Sequence, residues 1–273
     1  MTARKEVILS AGVINTPQLL LLSGIGDPAE LASLGIPTRV NLPSVGKNWT
    51  DHVLLPNGWR VNSNETFDPY LEPNVLPQNI QEWNHTHQGP LSWTSTNQMA
   101  WMRLPQNGTI IQTHGDPSTG PTSAHYQFIW MNGWPVMFQK PEGSWMMVST
   151  NLISPTSRKR LIPFTPSFVR PLIIFRTGGE VKLRSSNPFD SPIINPNFLS
   201  TDFDIKTIVT AVKAAKRFMT ARAWRGFVVA PWDPLASAHT DEEITQYVRD
   251  HAISYVESPD YFLLGSLDVI DRM

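Results

Sequence analysis

The sequence contains no cysteine among its 273 residues. Disulfide bonds and thiolate metal sites are therefore excluded, and cysteine usage gives no information on the redox compartment. Charge is also sparse, since only 16% of the residues are charged and the formal net charge is −1. Such a balance lacks the basic field that nucleic acid attracts and the polybasic patch that anionic membranes attract. The composition favours a small neutral molecule as the partner.

Three sequence signals are missing as well. No run of eighteen uncharged apolar residues exists, so we predict no membrane-spanning helix. The first five residues lead directly into an apolar segment and do not resemble a signal peptide, so we expect that an upstream part is missing. The motif G-x-G-x-x-G, whose glycines let a backbone approach the pyrophosphate of a dinucleotide, is absent.

The residues that are present support a sizeable core. Hydrophobic residues make up 41% of the chain, which is enough for one large domain or two. The 24 prolines indicate long, loop-rich connections, and the ten tryptophans line either the core or a pocket. Predicted helices and strands occur together, which gives an α+β fold class.

The N-terminal segment predicts a strand, a turn and a helix. Val7–Leu9 is a short apolar run, typical of a strand buried on both faces of a parallel sheet. Ala11-Gly12 then forms a turn of small residues, where glycine can take a positive φ. Thr16 is a suitable N-cap with Pro17 at the first helical position, and Gly24 can end the helix in the left-handed conformation.

Further elements follow from capping signals and periodicity. We predict a helix over Ala29–Leu34 after a cap-then-proline start at Asp27-Pro28. We also predict helices from Thr201 onward and from a capping box at Thr240 to about His251. We predict strands over Arg39–Leu42, His125–Met131, Trp145–Leu152 and Val181–Leu183. Residues 62–120 are rich in Asn, Gln, Pro, Gly, Ser and Thr, and we predict surface loops there with one partial helix over Trp93–Leu104.

Two patterns suggest sites. His85 and His87 are spaced like metal ligands, but nothing nearby supplies two further ligands, so we predict no metal site. Four N-glycosylation acceptors lie within about sixty residues of polar sequence, which favours secretion. The acceptor asparagines are Asn48, Asn64, Asn84 and Asn107.

Several segments resemble one enzyme family. Thr16–Leu20 followed by Ser23–Gly26 resembles the second signature of the glucose-methanol-choline oxidoreductases, flavoenzymes that oxidise alcohols. The resemblance continues over Leu42–Gly46, Asn48–His52, Leu183–Pro188 and Ile194–Phe198. Within the family, the chain is most similar to the fungal aryl-alcohol oxidases, which implies an extracellular protein with FAD as cofactor and a small alcohol as substrate.

The resemblance also implies site residues and domains. Ser10, Ala11 and Gly12 would lie beside the cofactor, and Asp51-His52 matches an acidic-His pair near the flavin or is a loop carboxylate that holds a histidine. The alternating face of Tyr126, Phe128 and Trp130 either walls an aryl-alcohol pocket or packs under helices. The implied domains are a partial FAD-binding domain over 1–53, a substrate-binding domain over 54–255 and a divergent tail over 256–273.

The chain departs from the family at its catalytic base. Alcohol oxidation by a flavin needs a base for the hydroxyl proton, and a neutral histidine suits this role. The resemblance places that histidine shortly after the helix that ends near His251, where this chain has Glu257. Burial raises the pKa of a glutamate toward a useful range, but no replacement for the second polar partner follows. His251 itself is predicted to be structural.

A second departure is an insertion over 159–178. Its prolines disfavour a helix or a central strand, yet Leu172–Phe175 is too apolar for a solvated loop. It is either a loop that binds a partner or a membrane, or untranslated sequence read in frame. Three hypotheses follow for the whole chain: a flavin-dependent alcohol oxidoreductase that is incomplete and inactive as given, a secreted non-catalytic glycoprotein that binds small aryl molecules, or a truncated product without a function of its own.

Overall fold

The computed structural model describes residues 3, 5–49, 51–134, 139–157 and 178–254. Within these ranges the α-helices are α1 (Gly12–Leu22), α2 (Pro28–Ser33), α3 (Leu76–Thr86), α4 (Thr109–His114), α5 (Asp202–Met219), α6 (Asp233–Ala236) and α7 (Asp241–His251). The strands are β1 (Ile25–Gly26), β2 (Val40–Asn41), β3 (Lys47–Trp49), β4 (Val53–Leu55), β5 (Gly58–Val61), β6 (Thr96–Met102), β7 (Tyr126–Met131), β8 (Ser144–Leu152), β9 (Gly179–Lys182), β10 (Ile193–Asn195), β11 (Val228–Pro231) and β12 (Ile253–Ser254). The fold is α+β, as predicted.

The chain divides into two compact units. Unit 1 comprises residues 1–51 and 156–200, and unit 2 comprises residues 52–155 and 201–273. The first limit lies close to the predicted domain limit at residue 53. The described residues from 178 to 200 group with the N-terminal residues, because β9 pairs with β3 in an antiparallel register.

Unit 1 has a small core of its own. Leu21 on α1 packs with Leu31 on α2 and with Ile36, and all three side chains are buried. The ammonium group of Lys47 on β3 lies 2.7 Å from Glu30 on α2 and 3.0 Å from Glu180 on β9. Packing and ion pairs therefore link three segments that are distant in sequence.

Two predicted features at helix ends of unit 1 are confirmed. Asp27 caps α2, since its carboxylate accepts hydrogen bonds from the backbone N–H groups of Ala29 and Glu30 at 2.9 and 3.3 Å. Gly24 follows α1 with a φ of +82°, which a residue with a Cβ rarely adopts. Local capping chemistry was sufficient to predict both features.

The strand predicted at Val7–Leu9 is wrong. Val7 and Ile8 are 74% and 78% exposed, and residues 6–10 form no strand in the part of the chain described here. An apolar run becomes a strand only where other strands satisfy its backbone groups, and none of the described strands pairs with it. The predicted helix start is also wrong, because α1 begins at Gly12 and includes Pro17. Thr16 instead accepts a hydrogen bond from the Ala11 N–H at 3.1 Å.

Unit 2 is built on a seven-stranded sheet. The central strand β8 pairs with β7 along one edge and with β4 and β5 along the other, all antiparallel. β6 extends the sheet beyond β7, while β11 pairs with β5 and β12 pairs with β4. The predicted strands at β7, β8 and β9 and the predicted helices α5 and α7 are confirmed.

Helix caps of unit 2 follow the sequence closely. The Thr201 hydroxyl accepts a hydrogen bond from the Asp204 N–H at the start of α5. At the start of α7, Thr240 and Glu243 form a capping box, with the Thr240 hydroxyl accepting from the Glu243 N–H and the Glu243 carboxylate accepting from the Thr240 N–H. Both helices have an apolar stripe that is buried, so cap and periodicity agree.

The prediction for residues 62–120 is partly wrong. Trp93–Leu104 contains strand β6 rather than a partial helix, because β7 offers an edge with which β6 pairs. Helix α3 was missed, although Leu76, Ile80 and Trp83 repeat at helical spacing. Ile80 and Trp83 are 43% and 38% exposed, and polar residues fill most of the other positions of this surface helix, so its apolar signal is weak.

Two segments in which the chain is predicted to depart from the family sequence lie outside the described residues. These are the insertion, of which Gly178 alone is described, and the tail after residue 254 with Glu257. No helix within the described ranges has the length and apolar character that a membrane span requires.

Candidate functional site

The residues predicted to lie beside the cofactor form the turn into α1, whose first residue is Gly12. Ser10, Ala11 and Gly12 are all exposed. Gly12 has a φ of +81°, as the sequence suggested. No heavy atom lies within 4 Å of the position that a Cβ would take there. The turn therefore has the expected backbone conformation but is not closely packed by the described residues.

Asp51 and His52 lie just before β4, a strand of the sheet of unit 2. Asp51 is half-buried and His52 is exposed, and each takes part in an interaction. His52 directly precedes β4. These positions suit either a pair near a cofactor or a local loop contact, so the predicted role stays a prediction.

The predicted aromatic face is present on β7 and packs against α5. Tyr126, Phe128 and Trp130 alternate along β7, and the rings of Phe128 and Trp130 are 5.7 Å apart. Trp130 meets Phe218 of α5 at 5.4 Å in an edge-to-face arrangement. Tyr126 and Phe128 are buried. The contacts support the structural alternative for these residues, which is packing between sheet and helix.

The opposite face of the sheet carries polar side chains that the sequence analysis missed. Gln127 on β7 pairs with Asn151 on β8, so both point to the face away from Phe128. The Asn151 amide donates to Gln127 Oε1 at 3.2 Å, and the Ser149 hydroxyl lies 3.4 Å from Asn151 Oδ1. All three residues are buried. They form a neutral row of hydrogen-bonding groups, which we call the amide row.

Exposed apolar side chains adjoin the amide row. Trp101 on β6 pairs with Gln127, and Met99 pairs with Ile129. Trp101 is 62% exposed and Met99 is 47% exposed. Among the described residues, the Gln127 amide donates to the Met99 sulfur at 3.6 Å, a weak acceptor. This face therefore combines an accessible aromatic ring with the Gln127 amide, whose described acceptor is a weak one. The alternation of Gln127 with Tyr126 and Phe128 was the available signal.

A buried histidine at the start of β7 has a structural role. The Leu104 N–H donates to His125 Nδ1 at 2.9 Å, so Nε2 carries the proton that Asp116 accepts at 2.9 Å. Arg103 also donates to Asp116, at 2.5 Å. Burial alone would raise the pKa of Asp116, but hydrogen bonds from His125, Ser118 and Arg103 outweigh it and hold that pKa well below its usual range. The cluster closes the connection between β6 and β7.

His251, predicted to be structural, is anchored at the end of α7. Its Nδ1 donates to the Tyr247 carbonyl at 2.9 Å, and its ring lies 5.2 Å from that of Trp232. Within the described ranges, no group of three or more His, Cys, Asp or Glu side chains is placed to hold a metal ion. The sequon asparagines Asn48, Asn64, Asn84 and Asn107 are all exposed.

Comparisons with known proteins agree with this architecture. Two family models described as GMC oxidoreductase match the chain, one over residues 1–54 and one over residues 176–257. The pyranose dehydrogenase of Agaricus campestris is 33% identical over 260 residues, which cover 94% of this chain and 40% of that protein. The chain belongs to the glucose-methanol-choline oxidoreductase family.

Solved structures of other proteins share the fold of this chain. A formate oxidase of Aspergillus oryzae RIB40 superposes with a TM-score of 0.74 at 25% identity and covers 93% of this chain and 44% of that one. A fungal aryl-alcohol oxidase superposes with a TM-score of 0.61 at 21% identity over 92% of this chain and 44% of that one, which supports the fold alone. The chain thus spans about 40% of the length of its curated relatives.

Glucose-methanol-choline oxidoreductases are FAD-dependent, so the described residues can be tested against this cofactor. A built dinucleotide site needs backbone donors held against the pyrophosphate in a close-packed turn. The turn at Ser10–Gly12 is exposed, and Gly12 has open space where a Cβ would lie. By themselves, the described residues do not form such a site.

Proposed function

We propose that this chain is part of a secreted FAD-dependent oxidoreductase that acts on the CH–OH group of alcohols and resembles the aryl-alcohol oxidases. The observation that carries the proposal is the match of an N-terminal and a C-terminal segment to one oxidoreductase family, with relatives aligned over most of the chain. The four exposed sequon asparagines support secretion. As given, the chain is proposed to be incomplete and inactive.

The cofactor would need further protein groups. We propose that Ser10, Ala11 and Gly12, with Asp51 and His52, contact FAD only when additional chain encloses it, because the turn is exposed in this structure. We expect the purified chain, incubated with FAD and desalted, to show no flavin absorbance. Retention of FAD at near-stoichiometric content would contradict this part of the proposal.

The amide row is proposed to face the alcohol. Asn151 and Gln127 supply neutral donors and acceptors for a hydroxyl group, and the ring of Trp101 supplies an exposed apolar surface for a flat or cyclic substrate. Tyr126, Phe128 and Trp130, the residues first considered for the pocket wall, are proposed to support the sheet from behind through Phe218. This arrangement separates the substrate-facing side from the helix-packed side.

Ligand binding tests this arrangement without flavin. Calorimetric titration of the full chain with a benzylic alcohol and with a pyranose should detect binding, and Trp101→Ala should weaken it by about tenfold, equivalent to about 1.4 kcal/mol. Trp93→Ala is the matched control, because Trp93 is 59% exposed but lies outside the strands. Equal effects of both substitutions would remove the support for this face.

A second candidate function is a non-catalytic secreted glycoprotein that binds small aryl molecules. The exposure of the turn predicted to bind FAD favours it, because the sheet face is formed while the cofactor turn is not enclosed. Ligand binding without flavin retention is expected from both candidates for the chain as given, so FAD-dependent turnover once additional chain encloses the cofactor is the result that favours the oxidoreductase over the binding protein. Absence of both ligand binding and flavin retention supports a truncated product without a function of its own.

A further inference from the structure

Three helices of unit 2 enclose a surface groove of about 620 Å³. It lies between α4, α5 and α7, and its volume is within the range of sites that bind small ligands. Its apolar wall includes Ile110, Ile205 and Val209. Four threonines also line it: Thr109, Thr113, Thr210 and Thr245. The groove is separate from the amide row, so the inference drawn from it rests on the proposed secretion but not on the proposed alcohol site.

Two of the three charged side chains that line the groove form ion pairs, and Glu242 is the third. Lys206 lies 3.6 Å from Asp202, and Asp241 forms an ion pair with Lys213. An apolar wall with hydroxyl groups and little unpaired charge suits a neutral occupant with both ring C–H faces and hydroxyl groups. These are the properties of a neutral oligosaccharide.

One of the sequons adjoins this groove. Asn107 is exposed, and Thr109, the third residue of the same sequon, is the first residue of α4 and lines the groove. A sugar attached to Asn107 would therefore start two residues from the groove. Tethering gives the attached sugar a high effective concentration there, so weak contacts are sufficient for occupancy.

We propose that Asn107 carries an N-linked glycan and that the neutral core of this glycan lies in the groove between α4, α5 and α7. Its acetamido methyl groups and ring faces cover Ile110 and Ile205, and its hydroxyl groups bond to the threonines. Helix α4 has only six residues, and a helix of this length depends on packing for its stability. The glycan thus stabilises α4 and the surface around it.

The other sequons offer a matched control. Asn84 is also exposed, but it lies on α3, whose residues do not line this groove. A glycan on Asn84 would start on a helix that does not contribute to this groove. The proposal therefore distinguishes the effects of two glycans on one chain.

For the test, the full chain is fused to a heterologous signal peptide and secreted from a eukaryotic host. Glycopeptide mass spectrometry after enzymatic deglycosylation in heavy-oxygen water should show Asn107 occupied. Translation into microsomes gives the same occupancy measurement where the secreted yield is low. An unmodified Asn107 in both experiments overturns the proposal.

Stability and exchange then test the location of the glycan. Asn107→Gln should lower the melting temperature of the secreted protein by about 2–4 °C and speed amide exchange in α4, whereas Asn84→Gln should do neither. The same two substitutions in bacterially produced, unglycosylated chain should have no effect. Equal effects of Asn107→Gln and Asn84→Gln, or an equal effect with and without glycan, would overturn the assignment to the groove.

Discussion

The hydroxyl of Tyr247 lies 2.9 Å from the main-chain carbonyl oxygen of Pro56, to which it donates a hydrogen bond. The same hydroxyl is 3.3 Å from Asn57 Oδ1, and the Asn57 amide donates to the Val148 carbonyl at 2.9 Å. Pro56 and Asn57 separate β4 from β5, and a proline has no N–H for a sheet ladder. The helix α7 thus supplies a donor at a bend that the sheet cannot satisfy by itself.

Replacing Tyr247 by phenylalanine should destabilise the protein by about 1–3 kcal/mol, because buried acceptors at the bend lose their donor. Tyr126→Phe is the matched control. Tyr126 and Tyr247 are 5% and 4% exposed, but the Tyr126 hydroxyl makes no hydrogen bond within the described ranges. Urea unfolding followed by circular dichroism gives both values. Equal losses would show that the Pro56 bend does not depend on Tyr247.

Raising the pH into the alkaline range should lower the free energy of unfolding, and Tyr247 should contribute to this loss. Burial raises the pKa of Tyr247 above its ordinary value, and burial also raises that of Tyr126. Above pH about 10 the unfolded chain therefore releases protons that the folded chain retains, and stability falls as pH rises. The fall should be smaller in Tyr247→Phe than in the unmodified protein. Unfolding free energies measured across this pH range check the slope, and parallel curves would contradict it.

Local signals predicted three helix caps of this fold, although the cap predicted at Thr16 is wrong. The carboxylate of Asp27, the hydroxyl of Thr201 and the capping box at Thr240 all act on backbone groups within three residues, so their geometry is set by nearby sequence. The apolar stripe of α5 similarly follows from one period over eighteen residues. Interactions of short sequence range could therefore be predicted with no knowledge of the fold.

Elements that depend on distant partners could not be predicted in this way. Val7–Leu9 has the composition of a strand but finds no partner among the described strands, whereas Trp101 lies in a strand because β7 is beside it. The amide row was missed for the same reason, since Gln127 and Asn151 meet only once β7 and β8 are in register. Alternation predicted which residues share a face but not which face a helix covers.

Asp116→Asn should destabilise unit 2 by about 1–2 kcal/mol at neutral pH, because hydrogen bonds from Arg103, Ser118 and His125 to a charged carboxylate weaken. The depressed pKa of Asp116 stabilises the folded state above the carboxyl's ordinary pKa, and this contribution is lost as pH falls. The difference between variant and parent should therefore shrink toward acid pH. Thermal unfolding at several pH values measures it.

The control for this prediction is Asp202→Asn. Asp202 is 80% exposed and lies 3.6 Å from Lys206 on the same helix, a pair of the kind that contributes little. Its effect should stay below about 0.5 kcal/mol at neutral pH. A difference for Asp116→Asn that is constant from neutral to acid pH would contradict the proposed role of its ionised carboxylate.

Two glycines of unit 1 allow the cost of backbone strain to be measured separately from the cost of a steric overlap. Gly35 and Gly46 have φ values of +70° and +72°, so alanine is strained at both. No heavy atom lies within 4 Å of a Cβ at Gly35, whereas a Cβ at Gly46 would overlap the Val181 carbonyl oxygen. We expect Gly35→Ala to cost about 1 kcal/mol and Gly46→Ala about 2 kcal/mol more, since the Val181 backbone must move. The Val181 N–H donates to the Gly46 carbonyl at 2.7 Å, so amide exchange at Val181 should accelerate only in Gly46→Ala. Equal stability losses together with unchanged exchange at Val181 would show that β9 tolerates the added methyl group and that strain alone fixes glycine at residue 46.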